Sequence, residues 1–136
     1  MLGDKLGQIV GPVKTTVLPA NGSNPRFETS VEGSGTLAGL NVNCMATYSS
    51  DMHSDGTLSG DCPNQGVIMT EHGEVATFRA TGVGKFNPEG GVDFGGVAYF
   101  RTATSALESL NAAAVVYYFK VNGDGIATWD LWEWKY

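Results

Sequence analysis

A chain of 136 residues with a formal net charge of −6 at pH 7 is long enough for one domain with its own core. Its eight Lys and Arg are scattered singly among fourteen Asp and Glu, which excludes a nucleic-acid partner, since phosphates need clustered cations. At 42% hydrophobic the composition is that of a folded domain, and nineteen glycines, about twice the usual share of roughly 7%, point to many turns and bent strands.

The chain opens on Met1-Leu2-Gly3-Asp4-Lys5, which carries no long apolar segment, so no cleaved leader is read there. No run approaches the ~20 apolar residues of a membrane helix, and a cytoplasmic location without a membrane partner is the expectation. Pro12, Pro19 and Asn21-Gly22-Ser23-Asn24-Pro25 interrupt the first strand region and predict a bulged edge followed by a long loop. From Arg26 to Glu32 the pattern alternates, with Phe27, Thr29 and Val31 on one face. Leu40 to Met52 is the clearest alternation, with Leu40, Val42, Cys44, Ala46, Tyr48 and Met52 on one face, the mark of a half-buried antiparallel strand. Cys44 therefore reads as a buried thiol and Cys62 as part of a Gly/Pro/Asn turn. Two cysteines are too few for a disulfide framework, and no pairing between them is expected.

Glu74 to Phe86 sets Ala76, Phe78, Ala80, Gly82, Gly84 and Phe86 against Thr77, Arg79, Thr81 and Lys85. Val92 to Thr102 places Val92, Phe94, Gly96, Ala98 and Phe100 inward. Ser105-Ala106-Leu107-Glu108 has the spacing of a capping box, so Ser105–Asn111 is read as one or two helical turns with Leu107 and Leu110 as the apolar side. Ala112 to Val121 returns to strand, apolar on both faces. Between the runs, Ala38-Gly39, Asp55-Gly56, His72-Gly73, Asn87-Pro88-Glu89-Gly90-Gly91 and Asn122-Gly123-Asp124-Gly125 suit tight hairpins.

The last eight residues hold all three tryptophans. As a strand they place Asp130, Trp132, Trp134 and Tyr136 on one face and Trp129, Leu131, Glu133 and Lys135 on the other. Trp132 and Trp134 are expected to face inward and Trp129 outward, in a strand that pairs with the first and closes the sheet. A long meander leaves two open edges unless it closes, and eight strands close into a barrel just wide enough for side chains or one small ligand. The expected fold is all-β: one domain over residues 1–136, a single antiparallel up-and-down β-barrel of about eight strands with one short helical turn. A β-sandwich is the alternative. Gly82, Gly84, Gly96 and Ala98 mark where strands coil sharply or leave a cavity.

Chemical motifs are sparse. Gly84-Lys85 lacks both the following hydroxyl and the earlier glycine of a phosphate loop. A calcium loop built on Gly125 would begin at Lys120 and end at Leu131, neither a ligand. His53, His72, Asp51, Asp55, Glu71 and Glu74 fall in or beside turns without metal-ligand spacing, so no metal and no cofactor is expected. At a hairpin tip, Glu71-His72-Gly73-Glu74 would be solvated and untuned for acid–base work. No catalytic residue is singled out. What remains is an aromatic interior, and the candidate ligand-binding residues are Tyr48, Phe78, Phe94, Phe100, Tyr117, Trp132 and Trp134.

A resemblance rests on Glu71-His72-Gly73-Glu74, Gly82-Val83-Gly84-Lys85-Phe86, Gly90-Gly91-Val92, Phe100-Arg101-Thr102-Ala103-Thr104, Leu107-Glu108-Ser109-Leu110-Asn111 and Trp132-Glu133-Trp134-Lys135. Over roughly residues 26–135 the chain resembles small bacterial proteins of uncharacterised function with lipocalin-like (calycin) or allene oxide cyclase-like β-barrels. That resemblance implies a barrel with one open end, apolar ligands or oligomers, and carries over no catalytic residue. The functional expectation is a barrel that binds a small hydrophobic ligand in an aromatic-lined interior. One alternative is a protein-interaction or homodimeric module with a packed core, using Val97, Tyr99, Val116 and Tyr118 on its outer face. Another is a cyclase- or isomerase-type enzyme acting by preorganisation.

Overall fold

The computed structural model describes residues 2–136, the side chains of Asn64 and Gln65 excepted; Met1 lies outside the described residues. Eight strands follow one another: β1 (Leu2–Asn21), β2 (Asn24–Leu37), β3 (Leu40–Met52), β4 (Thr57–Thr70), β5 (Val75–Phe86), β6 (Val92–Thr102), β7 (Ala114–Val121) and β8 (Ile126–Trp134). Each pairs antiparallel with the next, and β8 returns to β1, so the sheet is a closed barrel and not a sandwich. The only helical element among the described residues, a 3-10 helix at Ser105–Ala112, bridges β6 and β7.

Four of the hairpins use one loop. In each, the first residue's N–H donates to the carbonyl of the residue four positions on, and a glycine at the fourth position donates back to the first: His53/Gly56/Thr57, Thr70/Gly73/Glu74, Asn87/Gly90/Gly91 and Asn122/Gly125/Ile126. Gly56, Gly73, Gly90 and Gly125 have φ of 87°, 83°, 85° and 77°, the left-handed region that a three-residue hairpin ending in a glycine bulge requires. Asn87 and Asn122 stiffen their loops by accepting backbone N–H bonds through Oδ1. At Ala38-Gly39 both residues have positive φ, 52° and 81°, and Ala38 is the one non-glycine there among the described residues. A two-residue loop of this kind favours Asn-Gly. Ala38→Asn is therefore expected to stabilise the protein by about 0.5–1 kcal/mol, read from the urea midpoint.

The N-terminal stretch departs from the sequence expectation. Both prolines sit inside a continuous 20-residue strand, and the loop shrinks to the two residues between the Asn21–Asn24 rung. Pro12 lies on the last rung against β8, opposite Ile126, after which β1 continues to Asn21 paired with β2 alone. The Val13 N–H donates to the Gly125 carbonyl on the β8 side, so the nitrogen of Pro12 faces β2, where no rung forms between Val10↔Ser34 and Val13↔Val31; Pro19 lies where β1 has passed the end of β8. The expected irregularity survives only as register shifts near Leu18–Asn21 and Leu2–Gly7.

Cys62 also departs: it lies within β4, buried, not in a turn. The register of β4 shifts between Cys62 and Gly66 against β5, and across the same stretch against β3, so the Gly/Pro/Asn signal marks a bulge. No disulfide joins it to Cys44.

One end of the barrel is sealed. Phe100, Leu37, Ile68, Leu107, Leu110, Leu131 and Val115 are the largest fully buried side chains, and they gather at the helix end. Leu107 and Leu110 form the lid's inner side, as their spacing predicted. The capping box does not form: Thr104 is the N-cap, with no side-chain cap bond, and Ser105 already lies inside the helix. Asn111 anchors the lid instead, accepting from the Thr102 N–H at 3.0 Å and donating to the Thr102 carbonyl at 3.1 Å.

Candidate functional site: the barrel interior and its open mouth

Inward-facing residues follow strand parity, which the hairpin loops fix. In β7, Val115, Tyr117, Phe119 and Val121 face in or half in. The Asn122–Ile126 loop sets Val121 opposite Ala127 and Phe119 opposite Trp129, and residues directly opposite share a face. Trp129 therefore points inward and is 6% exposed, reversing the sequence expectation for β8. Trp132 lies outside beneath Lys5, whose Nζ is 5.5 Å from the ring centroid, and Trp134 is 47% exposed. Turning that face inward would have buried Asp130, which is held outside by Lys5 at 2.8 Å and Gln8 at 2.8 Å.

The interior divides into two spaces. A deep cavity of about 60 Å³ is lined by Ile9, Val31, Cys44, Ala46, Cys62, Phe78, Ala80, Phe94, Tyr117, Phe119, Ala127 and Trp129, among others, and its walls are overwhelmingly apolar. Above it the mouth encloses about 340 Å³, bounded by Val13, Thr15, Phe27, Thr29, Ser50, Leu58, Phe86, Val92 and the Asn87–Gly91 and Asn122–Ile126 loops. Tyr48 and Phe94 line both spaces and meet edge to face at 5.8 Å, with Tyr48 also 5.6 Å from Phe119.

Of the predicted ligand-binding residues, the structure brings Tyr48, Phe78, Phe94 and Tyr117 together on the deep cavity. Phe100 lies below it, fully buried against Phe78 at 5.3 Å and Trp129 at 6.4 Å. Trp132 and Trp134 lie on the outer surface, away from both spaces. Trp129, missed by the sequence reading, stands at the centre, 5.0 Å from Phe78 and 5.9 Å from Tyr117.

Gly82 and Gly84 do not leave voids. A Cβ at Gly82 would come within 2.6 Å of the Tyr117 hydroxyl, and one at Gly84 within 2.6 Å of the Phe94 ring. Gly66 likewise seats the ring of Phe78. The inner glycines of β4 and β5 are sockets for aromatic rings, which is why a chain with this many aromatic side chains leaves so little empty space at depth.

Burial governs the titratable groups inside. It pushes the Cys44 thiol up to about 12, with Cys62 adding to the rise, and the Tyr48 phenol up to about 12, opposed by a hydrogen bond with Thr29. Tyr117 is raised as well, by burial first and then by Tyr48, Cys62 and Asp61. All three are neutral at pH 7, so these groups offer hydroxyl donors and apolar contact, and the one carboxylate of the lining, Asp61, is itself exposed.

The hairpin-tip residues stay in solvent. His72 and Glu71 are 3.9 Å apart and exposed, and Glu74 bonds Thr70 within its own loop. Among the described residues no group of three or more His, Cys, Asp or Glu is placed to hold a metal ion, and no helix is long and apolar enough to cross a membrane.

Neither a protein-family model nor a curated protein matches the sequence. Solved structures do match the fold along its whole length. A β-barrel-like protein from Acinetobacter baumannii superposes with a TM-score of 0.82 at 14% identity, covering 99% of this chain and 96% of that one. A conserved protein of unknown function from Rhodopseudomonas palustris gives 0.79 at 12%, covering 98% and 97%. One of unknown function from Clostridium acetobutylicum gives 0.78 at 14%, covering 97% and 98%. The chain is thus a small barrel similar in fold to uncharacterised bacterial proteins; at these identities the likeness is one of fold alone.

Proposed function

We propose that the protein is a cytoplasmic small-molecule carrier or sensor that binds a compact apolar ligand through the open end of its barrel. The observation that carries this reading is the asymmetry of the interior. The helix end is packed solid, whereas the mouth is in the size range of ligand sites and leads past Tyr48 and Phe94 to an apolar space ringed by aromatics. A lipocalin-like or allene oxide cyclase-like barrel would use its open end in the same way. The deep space alone is too small for a whole ligand, so binding would combine the mouth with the top of the deep cavity.

Trp129 supplies the test. With Trp132→Phe and Trp134→Phe in place, the remaining indole reports from the cavity wall. Short-chain alcohols, ketones and aromatic hydrocarbons should shift its emission saturably, and Ala46→Leu, which fills the deep cavity, should abolish the response. A panel without any saturable response, on protein that still unfolds cooperatively, would overturn the reading.

A homodimeric interaction module is the second reading, favoured by one observation: Tyr99 and Tyr118 are about two-fifths exposed beside half-buried Val97 and Val116, and the helix leaves this face open. Sedimentation at micromolar concentration decides it.

A further inference from the structure

The mouth has two unlike walls. On one side stand Leu58, Phe86, Val92, Phe94 and Val121. On the other, beside Val13 and Phe27, Thr15, Thr29 and Tyr48 occupy successive places on one rung, Thr15 opposite Thr29 and Thr29 opposite Tyr48, across β1, β2 and β3. Thr15 Oγ1 lies 3.1 Å from Thr29 Oγ1, and Thr29 in turn stands directly across from Tyr48, close enough to oppose the rise that burial gives its phenol. Buried Ser50 extends this wall toward the rim.

Hydroxyls both donate and accept, so such a rung can turn either an O–H or a lone pair toward a bound group. It carries no charge. Among the described residues lining either space there is no Lys, Arg or His, and the one ionisable carboxylate is Asp61. Two of the rim cations are engaged elsewhere, Arg26 with Asp51 at 3.5 Å and Lys120 with Glu89 at 2.8 Å. A carboxylate or phosphate drawn into the mouth would give up its hydration without gaining a counter-ion, and an ammonium would find only neutral oxygens on the rung.

Resting on the ligand-binding reading above, we infer that the ligand carries an uncharged oxygen, a hydroxyl or carbonyl, held by the Thr15–Thr29–Tyr48 rung while its hydrocarbon part lies against Phe94 and the deep cavity. The site therefore selects neutral amphiphiles over fatty acids of the same length.

The experiment compares 1-octanol, 2-octanone, octanoate and octylamine at pH 7.5, each titrated against the single-tryptophan protein, with toluene as a ligand lacking oxygen. The alcohol or the ketone should bind at least tenfold tighter than the acid and the amine. Tyr48→Phe, which keeps the ring and removes the hydroxyl, and Thr29→Val should each weaken the alcohol about three- to tenfold and leave toluene unchanged. Octanoate or octylamine binding as tightly as the alcohol overturns the inference while leaving the barrel a ligand binder. Equal weakening of alcohol and toluene overturns it too, because the rung would then be structural only. If none of the five binds, the ligand-binding reading falls and the inference with it.

Discussion

Trp129→Ala is expected to lower the free energy of unfolding by about 3–5 kcal/mol, and Trp134→Ala by less than about 1 kcal/mol. The two residues share a strand and a chemistry and differ in the face they occupy. Trp129 stacks among Phe78, Phe100 and Tyr117 with 6% of its surface exposed; Trp134 is 47% exposed. Deleting residues 129–136 should go further and abolish cooperative unfolding. That segment provides most of the rungs of β8 to both neighbours, and its loss strips backbone groups from β1 and β7 together with Trp129 and Leu131. Urea unfolding followed by near-ultraviolet circular dichroism checks all three variants. Equal costs for Trp129 and Trp134 would refute the inward placement, and a cooperative melt of the truncated chain would refute the closing role of β8.

Strand order, barrel closure and the inner faces of β3, β5, β6 and β7 were legible because alternation and turn residues agree there. The same information was enough to orient β8, and periodicity alone misled. Trp132 and Trp134 look like the buried face by bulk, but Asp130 shares their parity, and counting from Val121 through the Asn122–Ile126 loop sets Trp129 beside Phe119. Charge and register outweigh hydrophobic bulk on a barrel whose exterior is itself partly aromatic. The bulge in β4 was not legible, since Gly60, Pro63 and Gly66 carry the composition of a turn while flanking strands on both sides hold the chain extended. Pro12 and Pro19 misled for a related reason: Pro12 costs β1 a short stretch of its ladder to β2 without ending the strand, and Pro19 lies where β1 has passed β8 and one edge has no partner. Of the residues proposed to bind a ligand, Tyr48, Phe78, Phe94 and Tyr117 share the deep cavity's wall because alternation had already set their faces. The hydroxyl rung was not, because it exists only once three strands are in register.

Stability should fall steeply on the alkaline side, beginning near pH 9. In the folded protein Cys44 is held up to about 12 from an ordinary 9.0, Tyr48 up to about 12 from 10.0, and Tyr117 is raised above 10.0, burial being the largest cause for each. The unfolded chain ionises these groups at their ordinary values, so above those values it releases protons that the folded chain retains. Each contribution is complete below the unfolded value and is lost as the pH climbs toward the folded one. The slope is about 1.4 kcal/mol per pH unit for each group in its window. Cys44 alone of the three acts between pH 9 and 10, and the tyrosines steepen the fall above pH 10. Urea unfolding at fixed pH from 8 to 11 measures it. Cys44→Ala should start less stable, because a buried thiol is lost, yet decline less between pH 9 and 10 by about one proton's slope. Tyr48→Phe should leave that interval unchanged and flatten the curve above pH 10. A wild-type protein as stable at pH 11 as at pH 8 would mean that water reaches these side chains freely, and the closed, apolar depth of the barrel would have to be abandoned.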